Sequence, residues 1–263
     1  MNSSIASGKQ NKNSHILNTL TLKLIALFTM LIDHIGILLF DASGEQAIIS
    51  ESVYDILRAI GRCSFPIFCY MLVEGFHYSR NVKKYFARLV VFAIISQIPY
   101  NLCFQHTFFY LHALNIFFTL LLGLLTIYVL DNCMKAMQIK PKSRTIYFGI
   151  GCITLVVSQY LAEEFYMSYG RYGILMIVIF YLFRIPDDDF ENDRVTLKYT
   201  CIQAMLIFVI TYLYQPELQF YCLISFVFIL MYNRKKGPGM KYLFYGFYPA
   251  HLLLLYGLYL LLY

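Results

Sequence analysis

Asp33 and His34 stand side by side in the middle of a largely apolar run from Leu20 to Phe40. A carboxylate at bilayer depth costs ~2.5–3.5 kcal/mol on an insertion scale, so an acidic residue kept there points to function. The next apolar run carries Arg58 and Arg62, one helical turn apart and therefore on one face. Sequence neighbours on a helix point in different directions, so Asp33 and His34 need different roles. We assign Asp33 to hold an arginine and His34 to face a cavity; the spacing also permits the reverse. A histidine whose pKa lies near neutrality can take a proton from an alcohol or amine nucleophile. An arginine beside it can orient a carboxylate or stabilise a developing oxyanion. The sequence has no phosphate-binding loop, dinucleotide glycine motif, HExxH or nucleophile elbow. The residues alone therefore point to a cofactor-free transfer reaction or to proton-coupled transport of a small anionic solute.

Further polar residues gather around prolines. Pro66 cannot donate to the carbonyl of Arg62, and Gly61 sits beside that arginine. Pro99 frees the carbonyl of Ile95 next to Ser96, Gln97 and Asn101, and Pro249 frees that of Tyr245, two residues before His251. A freed carbonyl inside a membrane must line water, protein or ligand. Gln97 and Asn115, with Arg58, are candidates for substrate contact; interhelical hydrogen bonding is the other use of such amides. Glu74 and His77 close the second run, and Arg80, Lys83, Lys84 and Arg88 follow. That basic cluster either sets topology or binds a phosphorylated molecule.

The elements that must position these groups are membrane helices. Charged residues make up 14% of the chain and hydrophobic ones 59%, against ~25% charged in soluble domains. The mean hydropathy is +0.61. Nine apolar runs fall at about 20–40, 53–77, 85–105, 112–132, 144–162, 170–185, 197–214, 217–232 and 241–262, with 170–185 and 217–232 the shortest. A crossing takes ~20 apolar residues. The expectation is an all-α integral membrane bundle of about nine transmembrane helices over residues 20–263, after a polar tail at 1–19. The run at 20–40 is too long for a signal-peptide core and lacks a small-residue cleavage site, so it reads as a first span.

Alternate connections hold eighteen of the 21 basic residues. Only Arg58, Arg62 and Arg171 fall on the other side, so the positive-inside rule places the N-terminus in the cytoplasm. The net charge of +6 belongs to these short loops and does not indicate a nucleic-acid partner. Asp187, Asp188 and Asp189 read as a solvated loop rather than a metal site. Six of the seven cysteines lie in apolar runs, with no CxxC or Cys/His ligand spacing. They read as packing residues rather than a disulfide frame or metal site.

Depth follows from the 1.5 Å rise per residue. Asp33 comes out ~20 Å from the cytoplasmic edge and ~10 Å from the outer one, and Arg62 ~13 Å below the outer edge on a helix running the other way. An ion pair of Asp33 with Arg62 or Arg58 is therefore expected. His251 falls near the midplane.

Three segments carry a family resemblance: LKLIALFTMLIDHIGILLF, GRCSFPIFCYMLVEGFHYSRNVKKYFARLVVFAIISQIPYNL and KYLFYGFYPAHLL. With DHIG, GRxxFPIF and FYxxYPxH together, the chain resembles the TraX family of membrane acetyltransferases, the type that acetylates the N-terminus of F-type pilin. The likeness is densest over residues 22–104, 115–123 and 241–252. It implies an acyltransferase of the cell (inner) membrane that takes an acetyl group from cytosolic acetyl-CoA to a peptide or glycan acceptor. It implies Asp33 and His34 as the reaction centre with Arg62, and Lys83, Lys84 and Arg88 as cofactor contacts. Glu74 and His251 lie in the other family motifs and join the cofactor-binding set. In that reading His34 is the general base and Asp33 with Arg62 organise the site. A proton-coupled transporter is the rival, and a non-catalytic envelope chaperone is a third class.

Overall fold

The structure, a computed structural model, describes residues 15–41, 47–215, 217–238 and 241–262. Most of the expected polar tail, with Lys9 and Lys12, lies outside the described residues. The helices are α1 (Thr19–Asp41), α2 (Glu51–Gly61), α3 (Ser64–His77), α4 (Val82–Gln105), α5 (Ile116–Ile139), α6 (Arg144–Glu164), α7 (Gly170–Leu182), α8 (Asp193–Tyr214), α9 (Ser225–Leu230) and α10 (Lys241–Leu262). A 3₁₀ stretch, Glu217–Ile224, leads into α9. Among the described residues there is no strand, only isolated bridges.

Counting α2 with α3, seven helices among the described residues are long and apolar enough to cross a membrane. The two that fall short are Gly170–Leu182 and Glu217–Leu230, the shortest of the nine expected. Thirteen residues make a helix only ~20 Å long, against a hydrocarbon core of ~30 Å. Helix α7 is apolar for another reason, since it is wrapped by other helices. Ile174, Met176 and Ile177 are fully buried there, and Phe180 nearly so. Helix α6 is the opposite case: Ile146, Phe148, Ile153, Val156 and Tyr160 are all exposed, as suits a lipid-facing helix.

Local sequence explains the break in the second crossing. A proline ring collides with the carbonyl four residues earlier, and for Pro66 that residue is Arg62. The helix stops at Gly61, turns through Arg62 and Cys63, and restarts at Ser64. Helices α4 and α10 run through Pro99 and Pro249 without interruption. Asn81, Asn115 and Asn192 cap α4, α5 and α8 through their side-chain oxygens, satisfying N–H groups a helix start leaves free.

In lipid, helices associate by close packing more than by apolar burial. The tightest approach for the site is α1 on α2. Gly61 faces Asp33 so closely that a Cβ at position 61 would overlap the Asp33 side chain. This contact brings the carboxylate against the broken end of α2.

Candidate functional site

The turn at Arg62 and the approach of α2 to α1 place both arginines on one carboxylate. Arg58 Nη1 donates to Asp33 Oδ2 at 2.7 Å, and Arg62 Nη2 donates to Asp33 Oδ1 at 2.9 Å. Asp33 is 8% exposed. Arg62 also donates from Nε to the Arg58 carbonyl and from Nη1 to Gln219 Oε1, each at 3.2 Å. All three guanidinium nitrogens thus have separate partners, and Gln219 ties the 3₁₀ segment to the site. Two cations share one anion, which leaves about one unit of positive charge.

His34 is the next residue on α1. Its Nδ1 lies 2.8 Å from His251 Nε2, with the two rings within 7° of parallel. His251 Nδ1 lies 2.9 Å from the Phe247 carbonyl. The Phe104 ring meets His34 edge-on at 5.1 Å between centroids.

A cavity of about 740 Å³ runs along these groups. Asp33, His34, Arg58 and Arg62 line one end, with Tyr100, Phe104, Ser168 and Tyr169. Lys23, Arg88 and Lys236 line the other, with Tyr78, Ser79, Tyr85, Phe244 and Tyr245. Between them the wall is apolar, including Leu27, Met30, Phe68, Met71, Leu72 and Leu120. On α1 alone, Lys23 and His34 are eleven residues apart, or roughly 16 Å. Among the described residues no carboxylate pairs with Lys23, Arg88 or Lys236. Lys23 lies over the Phe244 ring and Arg88 over that of Tyr85. The mouth is therefore a cluster of cations without a counter-ion among the described residues.

Several sequence candidates lie elsewhere. Lys83 and Lys84 are exposed and off the cavity wall. Glu74, 3% exposed, receives Arg184 Nε on Oε1 at 2.7 Å and has Arg234 Nε 3.5 Å from Oε2. Gln97 and Asn115 bind each other and the loop before α5. Gln97 donates to the Ala113 carbonyl and Asn115 Nδ2 to that of Ala93, both at 2.8 Å. Neither lines the cavity. Sequence reasoning does not reach Lys23, Lys236 or Gln219 as site residues. A lysine three residues into the first apolar run was a visible signal. Lys236 looks like any loop lysine, and Gln219 is 157 residues from its partner Arg62.

Asp187 organises the connection between α7 and α8. Its Oδ1 accepts from Arg184 Nη2 at 2.8 Å, Arg234 Nη1 at 2.7 Å and the Tyr78 hydroxyl at 2.8 Å, and Oδ2 lies 3.2 Å from His77 Nε2. Partial burial opposes its charge, but the hydrogen bonds from Arg184, Tyr78 and His77 prevail and hold the carboxyl below the usual range. Tyr78 also lines the cavity mouth, so this cluster fixes one wall of it.

Among the described residues, seven helices long and apolar enough to cross a membrane, with an internal cavity that is polar at its two ends, define a polytopic helical membrane protein. The model for the family described as "TraX protein" matches residues 18–259, and the chain belongs to that family. It is 30% identical over 251 residues to the "Probable fimbrial assembly protein FimC, serogroup H1" of Dichelobacter nodosus, covering 89% of this chain and 92% of that one. It is 27% identical over 186 residues to the "Uncharacterized protein RP591" of Rickettsia prowazekii (strain Madrid E), covering 70% of this chain and 60% of that one. No solved structure matches.

Proposed function

We propose that this protein is a membrane-embedded acyltransferase that moves an acetyl group from acetyl-CoA to a peptide N-terminus or glycan-type acceptor. The observation that carries this is the cavity joining three cations, none paired with a carboxylate among the described residues, to His34 and the Asp33–arginine cluster. Its chemistry suits a donor with a phosphorylated head and a long arm. The phosphates would rest on Lys23, Arg88 and Lys236, the arm against the apolar middle, and the thioester near His34. Lys83 and Lys84, exposed close by on α4, would act on the donor at longer range, through the field at the mouth.

In the reaction, His34 takes the proton from the acceptor hydroxyl or amine as that oxygen or nitrogen bonds to the thioester carbonyl carbon. The net positive charge of Arg58 and Arg62 stabilises the oxyanion. The C–S bond then breaks and His34 returns the proton to the departing sulfur, giving the free thiol. Asp33 keeps both arginines in place without taking part in the proton transfer. By the distribution of Lys and Arg, the cationic mouth faces the cytosol of the cell (inner) membrane. The fimbrial assembly name of the Dichelobacter relative makes a pilin-like peptide the first acceptor to try.

Acetyl-CoA binding to the purified protein, by calorimetry, tests the reading. Saturable binding is expected, weakened at least tenfold in Lys23→Ala/Lys236→Ala and more by added salt. His34→Ala keeps binding and loses transfer. Failure of folded protein to bind acetyl-CoA, with proton-driven solute uptake in proteoliposomes, would replace this reading with a transporter.

A further inference from the structure

The two histidines form a chain of hydrogen bonds with one consistent set of protons. The Phe247 carbonyl can only accept, so His251 Nδ1, 2.9 Å away, carries the hydrogen of that bond. With both rings neutral, His251 Nε2 then holds a lone pair. His34 Nδ1, 2.8 Å from it, must be the donor. His34 is thereby fixed with its hydrogen on Nδ1 and its basic lone pair on Nε2. His251 is 5% exposed and not on the cavity wall, whereas His34 is on it. Helix α10 thus supports, from behind, a base that α1 presents to the cavity.

We infer that His251 is a positioning residue that sets the tautomer of His34 and aims its Nε2 lone pair at the acceptor. This rests on the acyltransferase reading for its purpose, but the tautomer itself does not depend on turnover. The arrangement follows the general rule that a base is oriented by a third group bonded to its other nitrogen. His251 touches no reacting atom. As His34 Nε2 takes the acceptor's proton, the new charge is shared through Nδ1–H with His251.

Nitrogen NMR of the full-length protein with ¹⁵N-labelled histidine tests this, the His34 signals being assigned by their loss in His34→Asn. The hydrogen of the His34 ring is expected on Nδ1 in the wild type. In His251→Phe, which keeps an aromatic ring but no acceptor, that preference is expected to disappear. In His251→Gln, whose Oε1 can accept the same hydrogen, it is expected to remain. Transfer from acetyl-CoA should fall at least about 100-fold in His251→Phe and recover to within tenfold in His251→Gln, at unchanged melting temperature. A wild-type His34 protonated on Nε2, or a His251→Phe variant with unchanged tautomer, would overturn the inference. A tautomer that depends on His251 in a protein with no acetyl transfer would leave it standing and remove the acyltransferase reading instead.

Discussion

Taking the Asp33 carboxylate away would leave Arg58 and Arg62 facing each other below the membrane surface with no anion between them. Removing one member of a buried charge cluster is costlier than removing the whole, because the remaining charge has neither water nor partner. Asp33→Asn is expected to destabilise the detergent-solubilised protein by on the order of 3 kcal/mol, read as a fall in melting temperature. Adding Arg62→Gln should recover part of the loss, and an additive double variant would show that the two residues do not couple. Arg62→Lys is not expected to substitute for arginine. Arg62 uses Nε, Nη1 and Nη2 on three different partners, and a single ammonium cannot span them. At this scale the sequence was informative where depth and charge could be combined. Asp33 and the two arginines come to the same level by counting residues from the helix ends. Gln219 could not be found that way, because its position depends on how a short 3₁₀ segment packs against α2.

At the scale of elements, position 61 decides whether α1 and α2 can meet. Alanine normally favours a helix over glycine by about 1 kcal/mol. At Gly61 its methyl would overlap Asp33, and overpacking costs about 1–3 kcal/mol. Gly61→Ala is therefore expected to lower the melting temperature and to reduce activity through the displaced carboxylate. Gly149→Ala, where nothing lies within 4 Å of the added carbon, should leave both unchanged or raise stability. Equal effects at the two positions would refute the close-approach argument. The α7–α8 connection gives a second element-scale prediction. Asp187 is held below the ordinary carboxylate range, so its stabilising bonds are complete above about pH 4 and are lost as pH falls through the lowered value. The melting difference between wild type and Asp187→Asn should persist from pH 6 to 8 and collapse only under strong acid. A difference that vanished near neutrality would contradict it. The kink at Pro66 was legible because a proline clash acts on a fixed neighbour. The shortness of the run at 170–185 was legible too, but the burial of α7 inside the bundle was not, because apolar residues that face other helices and those that face lipid look the same in sequence. The enclosure of α7 by its neighbours, with Ile174, Met176 and Ile177 fully buried, is a tertiary fact.

For the whole molecule, the question that joins fold to function is which end of the bundle faces the cytosol. The ends differ strongly. Lys23, Arg88, Arg184, Lys198, Arg234 and Lys236 belong to the end where α1, α4, α8 and α10 begin, whereas Arg171 is at the end where α7 begins. A bias of this kind orients membrane proteins with the basic end inward. In that orientation the cavity mouth would open to the side where the proposed acetyl-CoA donor would be found. Orientation and donor chemistry therefore rest on one charge pattern, and a direct measurement of the first constrains the second. In a background with the seven native cysteines replaced, Asn81→Cys marks the turn before α4 at the basic end. Thr107→Cys marks the loop after α4 at the other end. An impermeant maleimide added to intact cells is expected to label position 107 and to reach position 81 only after the membrane is opened. The reverse pattern would put Lys23, Arg88 and Lys236 on the outer face, away from any cytosolic thioester, and acetyl-CoA could no longer be the donor whatever the geometry around His34.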